Sequence, residues 1–190
     1  MTGVQTCALP ISGGDDDTVV GIASTGAGVA QGIAYGIFID AAGELLTGAG
    51  NDEVVGEVTV AGGDVFAKAI FGDSSRTLST GTGDDLVDAS RGGFGGGFRV
   101  DLGDGADTAR GFGEVVIDGG DGADSLELDV SLAAFAAAGG EIAVAGGADR
   151  SVELTRDGET LEAQNIESFR FDGETFSVAE LEVAFDALVA

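Results

Sequence analysis

Histidine is absent from this chain of 190 residues, and cysteine, proline and methionine occur once each. Met1, Cys7 and Pro10 all fall within the opening segment MTGVQTCALPI. From Ser12 onward there is no disulfide framework and no thiol chemistry, and a chain free of cysteine does not by itself fix a redox compartment. One proline excludes collagen, which also needs glycine at every third position. Without histidine or a G-x-S-x-G motif, the chain carries no recognisable nucleophile machinery. Basic residues are scarce too: eight Lys and Arg against 34 Asp and Glu give a net charge of −26. Nucleic acids require clustered cations, and anionic membranes repel such a surface, so neither is an expected partner.

Residues 1–11 differ in composition from everything after them and are similar to the conceptual translation of a short-read sequencing adapter, with a GTG codon read as the start. They are set aside from fold reasoning as an assembly artefact. They lack the basic n-region and long apolar h-region of a signal peptide.

Glycine is what the chain has in abundance, 35 residues of it. A hydrophobic content of 44% is too high for disorder despite the charge. Glycine-punctuated, apolar and acidic together suggest many short strands joined by tight turns. Two carboxylates 4 Å apart repel by about 4 kcal/mol at an effective dielectric near 20, so packed acidic turns need water or a cation between them.

Thr18–Ile39 is the longest uncharged run, but five glycines and acidic flanks argue against a membrane span and for short strands, Ile33–Asp40 among them. Arg91–Arg99, RGGFGGGFR, reads as a glycine-rich turn whose Phe94 and Phe98 fill the core. Ser131–Ala138 reads as a short capped helix. Asp157-Gly158 is a hairpin turn, and Ile166–Asp172 an alternating strand. Ser177 to Glu180 is a capping box opening a helix with Leu181, Ala184, Phe185 and Leu188 on one face.

The chain repeats itself. A shift of 35 places Asp17-Thr18-Val19-Val20-Gly21 on Asp52-Glu53-Val54-Val55-Gly56. A shift of 33 places Ile37, Phe38, Leu45, Thr47, Gly48, Gly50, Asp52 and Val54 on residues of the same type from Ile70 to Val87. A shift of 17 places Val100–Thr108 on Ile117–Ser125. Gly-x-Gly-x-Asp occurs at Gly48–Asp52, Gly81–Asp85, Gly103–Asp107 and Gly120–Asp124, with a degenerate copy ending at Asp17. Gly119–Glu127 satisfies the full nonapeptide G-G-x-G-x-D-x-U-x.

On these motifs, residues 12–128 resemble the hemolysin-type (RTX) calcium-binding repeat family. The resemblance implies calcium as cofactor, held by the carboxylates of Asp52, Asp85, Asp107 and Asp124 and by carbonyls around Gly48, Gly50, Gly81, Gly83, Gly103, Gly105, Gly120 and Gly122. It also implies an extracellular, secreted protein using the type I secretion machinery, with the ending Asp186–Ala190 similar to such a signal. The expected fold is all-β: a right-handed parallel β-solenoid (β-roll or β-helix) over 12–130, with a strand-plus-helix cap over 131–190. The motif aspartates are spaced 35, 33, 22 and 17 residues apart. Only the last interval approaches one coil of two nonapeptides, so Asp107 and Asp124 are the expected stacked neighbours; the longer intervals are double coils or wider turns with inserted strands. Asp104, Asp107, Asp121 and Asp124 are expected to form one compact carboxylate set that binds calcium first.

The function expected is a non-enzymatic calcium-binding repeat domain from the C-terminal part of a larger bacterial protein, folding on extracellular calcium. A catalytic domain upstream is left open. The alternatives are a metal-free structural or adhesive solenoid and a polysaccharide-acting β-helix enzyme fragment; contact with a cell surface or a polysaccharide is an expected partner interaction.

Overall fold

The computed structural model describes residues 14–25, 31–39, 44–61, 64–145 and 151–190, so the opening segment and Asp40 lie outside the described residues. The first circuit of the chain is β1 (Thr18–Thr25), β2 (Gln31–Ile39) and β3 (Leu45–Ala49). The second is β4 (Glu53–Val60), β5 (Asp64–Gly72) and β6 (Thr77–Thr82). The third is β7 (Leu86–Arg91), β8 (Phe94–Asp101) and β9 (Asp104–Gly105), and the fourth β10 (Thr108–Arg110), β11 (Gly113–Asp118) and β12 (Asp121–Gly122). A fifth begins with β13 (Ser125–Leu128) and departs into α1 (Leu132–Ala137), β14 (Glu141–Ala145), β15 (Ser151–Arg156) and β16 (Glu159–Gln164). The chain closes with β17 (Ser168–Phe171), β18 (Glu174–Ser177) and α2 (Val178–Val189).

The sequence repeats are the strand registers. Thr18 pairs with Glu53 at a shift of 35, Leu45 with Leu78 at 33, and Val100 with Ile117 at 17, all in parallel. Identical side chains then meet on neighbouring strands, as Ile37 and Phe38 meet Ile70 and Phe71. Each interval between motif aspartates is one circuit, since β1, β4, β7, β10 and β13 are successive neighbours in one sheet. Alternate residues of these strands point inward, which is why Val19, Val54, Val87, Ala109 and Leu126 are all buried.

The expected parallel β-solenoid is corrected by the sheets, which are mixed. Strands occupy 62% of the structure, in seven- and eleven-stranded sheets, the curled one forming a half-barrel, together with two helices. Two causes are visible. The third circuit has 22 residues where the second has 33, so β8 serves two files at once, pairing with β5 through Phe94 and with β6 through Arg99–Asp101. Beyond that, hairpins at Asp157-Gly158 and Asp172-Gly173 reverse the chain, making β15–β16 and β17–β18 antiparallel, and β14 also pairs antiparallel with β15.

Residues 131–190 extend the same two sheets: β16 pairs with β11 and β17 with β13. One hydrophobic cluster runs from Val19 to Phe185. Ser131 caps α1, accepting from the Ala134 amide, and Ser177 with Glu180 forms the capping box of α2. Leu181 and Phe185 of α2 are buried, but Leu188, expected on that face, is 48% exposed. Ser177→Ala is expected to lower stability by about 1 kcal/mol by removing the cap; a urea melt reads this directly. RGGFGGGFR is mostly strand β8 rather than a turn, with Phe94 and Phe98 fully buried as expected.

Candidate metal centre

At the start of β1, β4, β7, β10 and β13 stands an aspartate: Asp17, Asp52, Asp85, Asp107 and Asp124. The last four are at most 3% exposed. Their main chains are locked into the ladder, for Leu86 N–H donates to Asp52 O at 2.8 Å, Thr108 N–H to Asp85 O at 2.8 Å and Ser125 N–H to Asp107 O at 2.9 Å. The side chains form a second ladder beside it. Oδ1 of Asp52 accepts from Asp17 N–H at 2.8 Å, Oδ1 of Asp85 from Asp52 N–H at 2.7 Å. Oδ1 of Asp107 accepts from Asp85 N–H at 2.7 Å and Oδ1 of Asp124 from Asp107 N–H at 2.9 Å. Every inner carboxylate thus faces the circuit before it.

Glu167, which sequence reasoning missed, completes this file: Asp124 N–H donates to its Oε2 at 2.7 Å. An outer file runs the other way. Asn51 N–H donates to Asp16 Oδ1, Asp84 N–H to Asn51 Oδ1 and Ala106 N–H to Asp84 Oδ1, at 2.8–2.9 Å. Alanine at 106 and 123 ends it.

The glycines of the motif form files of their own. At Gly81, φ is +104° and an added Cβ would stand 1.7 Å from Gly48 O; at Gly103 the values are +101° and 1.9 Å from Gly81 O. Gly120 stands likewise against Gly103, and Gly50, Gly83, Gly105 and Gly122 form a second such series. Gly103 O and Gly105 O accept from Asp121 N–H and Ala123 N–H of the next circuit, which engages one lone pair of each. Thr47 Oγ1 donates to Thr80 O and Thr80 Oγ1 to Leu102 O, filling the interior of the same corner.

The compact four-carboxylate set is not formed. Asp107 and Asp124 are buried in the file, whereas Asp104 and Asp121 sit exposed on β9 and β12. Among the described residues, no three His, Cys, Asp or Glu side chains converge on a point where a metal ion could be held. What the structure brings together is a line of five aspartates, longer than the pair expected from spacing.

That line has an electrostatic deficit. Oδ2 of Asp17, Asp52, Asp85, Asp107 and Asp124 is buried without any hydrogen-bond partner. Burial, with Asp124 and Asp85 as charged neighbours, pushes the Asp107 carboxyl up to about 7. Burial also raises Asp85 and Asp124 above the usual carboxylate range. The cations are engaged elsewhere: Lys68 pairs with Glu159, Arg99 with Asp118, Arg110 and Arg170 with Glu127, and Arg91 with Glu57.

Calcium takes oxygen ligands at 2.3–2.6 Å. Neighbouring strands stand about 4.8 Å apart, twice that bond length, so oxygens of two successive circuits are suitably spaced for one shared ion. The unpartnered Oδ2 atoms therefore fit a hard cation. A calcium shell of six to eight oxygens would need carbonyls and water beyond the two carboxylates.

No protein-family model matches the chain, and no curated protein matches it as a relative. No helix among the described residues is long and apolar enough to cross a membrane.

Proposed function

We propose that this chain is a secreted calcium-binding repeat module of the RTX type, of the kind found toward the C-terminus of larger bacterial proteins, that tightens on meeting extracellular calcium. The observation that carries this reading is the row of five buried Oδ2 atoms without a partner. Carboxylates one circuit apart repel by about 3 kcal/mol at an effective dielectric near 20. Asp52, Asp85, Asp107 and Asp124 would hold the ions between circuits, while their Oδ1 atoms keep the strands in register. Calcium supplies the positive charge that no cation among the described residues brings to this corner. At a hundred times Kd, one site selective for the folded form stabilises it by about 2.7 kcal/mol.

A thermal melt followed by circular dichroism tests the reading. Excess calcium is expected to raise the midpoint by about 5–10 °C over EDTA, at 2–4 °C per kcal/mol for a chain of this size. Identical melts in calcium and EDTA would exclude it. They would favour the second reading, a metal-free structural module, which has its own support: the Oδ1 ladder is complete without any metal.

A further inference from the structure

The fifth circuit leaves the stack after Leu128, and Asp129 and Val130 overhang the ends of β7 and β10. A polar cleft of about 320 Å³ opens there, lined by Glu57, Asp88, Ser90, Arg91 and Asp129. It adjoins a second hollow of about 160 Å³, which shares Ser90 and Asp129 and adds Arg156 and Phe112. Small-molecule sites begin at about 300 Å³. We infer that this cleft is a binding site for a neutral polysaccharide, distinct from the aspartate file.

In a chain with only eight cations, Arg91, Arg110 and Arg156 all stand in or beside this one cleft. Two of them offset its acids in part: Arg91 lies 3.2 Å from Glu57, and Arg110, paired with Glu127 at 2.7 Å, lies 3.8 Å from Asp88. The result is a patch of mixed charge, with cations among the acids, on a strongly acidic molecule. An anionic ligand would still meet the field of the whole chain at −26. A metal ion would need converging carboxylates, and among the described residues no three converge.

A sugar needs what is present. Each hydroxyl both donates and accepts, so carboxylates, guanidinium groups and the Ser90 hydroxyl side by side suit vicinal hydroxyl pairs. Phe112, in the adjoining hollow, adds apolar ring surface beside these polar groups. Arg156 lies 4.8 Å from that ring's centroid and 5.4 Å from that of Phe135, which holds its guanidinium at the cleft wall. Glu57 stands on β4, and Asp88, Ser90 and Arg91 on β7, while Asp129 follows the end of β13.

Native affinity electrophoresis tests this with the full chain in calcium buffer, in gels carrying dextran, laminarin or galactomannan. The wild type is expected to be retarded in at least one of these gels. Arg91→Ala/Asp129→Ala should lose at least fivefold in affinity, with an unchanged melt because both side chains are exposed. Glu182→Ala, outside the cleft, should be retarded as the wild type is. Free oligosaccharide of the retarding type should restore wild-type mobility, a second readout that needs no variant. The inference is overturned if none of the three neutral gels retards the wild type, if the double variant is retarded equally, or if only an acidic gel of polygalacturonate retards it. Each result is independent of whether calcium shifts the melt.

Discussion

Gly103→Ala is expected to destabilise the protein by about 4 kcal/mol or more, enough to leave much of it unfolded. Two costs add. The residue has φ +101°, in the region where a Cβ costs roughly 1–2 kcal/mol. Its Cβ would also lie 1.9 Å from Gly81 O, a main-chain atom held by the neighbouring circuit. A side chain could swing aside, but a carbonyl in a ladder moves only with its strand. Gly158→Ala separates the two costs, because φ is +80° there and nothing lies within 4 Å of the added Cβ. That variant should lose only about 1 kcal/mol. Urea titrations of the pair decide the matter: equal losses would mean that circuits do not approach this closely at the glycine file.

In EDTA, raising the pH from 5 to 8 is expected to lower stability by about 1.5 kcal/mol through Asp107 alone, or about 3–6 °C in melting temperature. Asp107 is held at about 7 in the folded state against an ordinary value of 3.8. The folded protein therefore keeps a proton that the unfolded chain has already released. Stability is full below about pH 4 and falls as the pH climbs through about 7, the reverse of the usual carboxylate case. Of that span, the two units between pH 5 and about 7 correspond to about 2.7 kcal/mol at full strength; halving this for relaxation and water leaves about 1.5 from Asp107. Asp85 and Asp124 are raised in the same direction and deepen the loss. Asp107→Asn retains an acceptor for the Asp85 amide while removing the charge, so it should flatten the profile and be the more stable protein at pH 8. A wild-type profile that rises from pH 5 to 8 would show that the file does not bury its charges.

The parallel registers were legible because whole strands recur: Val54-Val55-Gly56 repeats Val19-Val20-Gly21 and lies directly against it. The file of five aspartates was only half legible. Spacing alone leaves intervals of 35 and 33 open between double coils and wider turns with inserted strands; the added residues are strands within a single circuit, β5 and β6 among them. Glu167 was hidden for a different reason. It aligns with Asp124, since Ser168 pairs with Ser125, but α1 and a hairpin intervene and no glycine turn announces it. The strand at Phe94–Asp101 was read as a turn because its glycines look like flexibility. They are instead low ground for neighbours: a Cβ on Gly95 would meet Lys68 Cγ at 2.8 Å, and one on Gly96 would meet Phe71 Cζ at 2.9 Å. Such packing belongs to another strand's side chains and leaves no local trace. The antiparallel close of both sheets was visible only as one hairpin turn, with nothing to say which sheet it would join.

The circuits shorten from 35 to 33, 22 and 17 residues, yet the corner that carries Gly-x-Gly-x-Asp keeps its geometry throughout. That corner acts as a spine, and the rest of each circuit as a rib of adjustable length. Insertions and deletions in the ribs leave the spine's hydrogen bonds intact, so lineages of such proteins would be expected to vary in girth long before they vary at the corner.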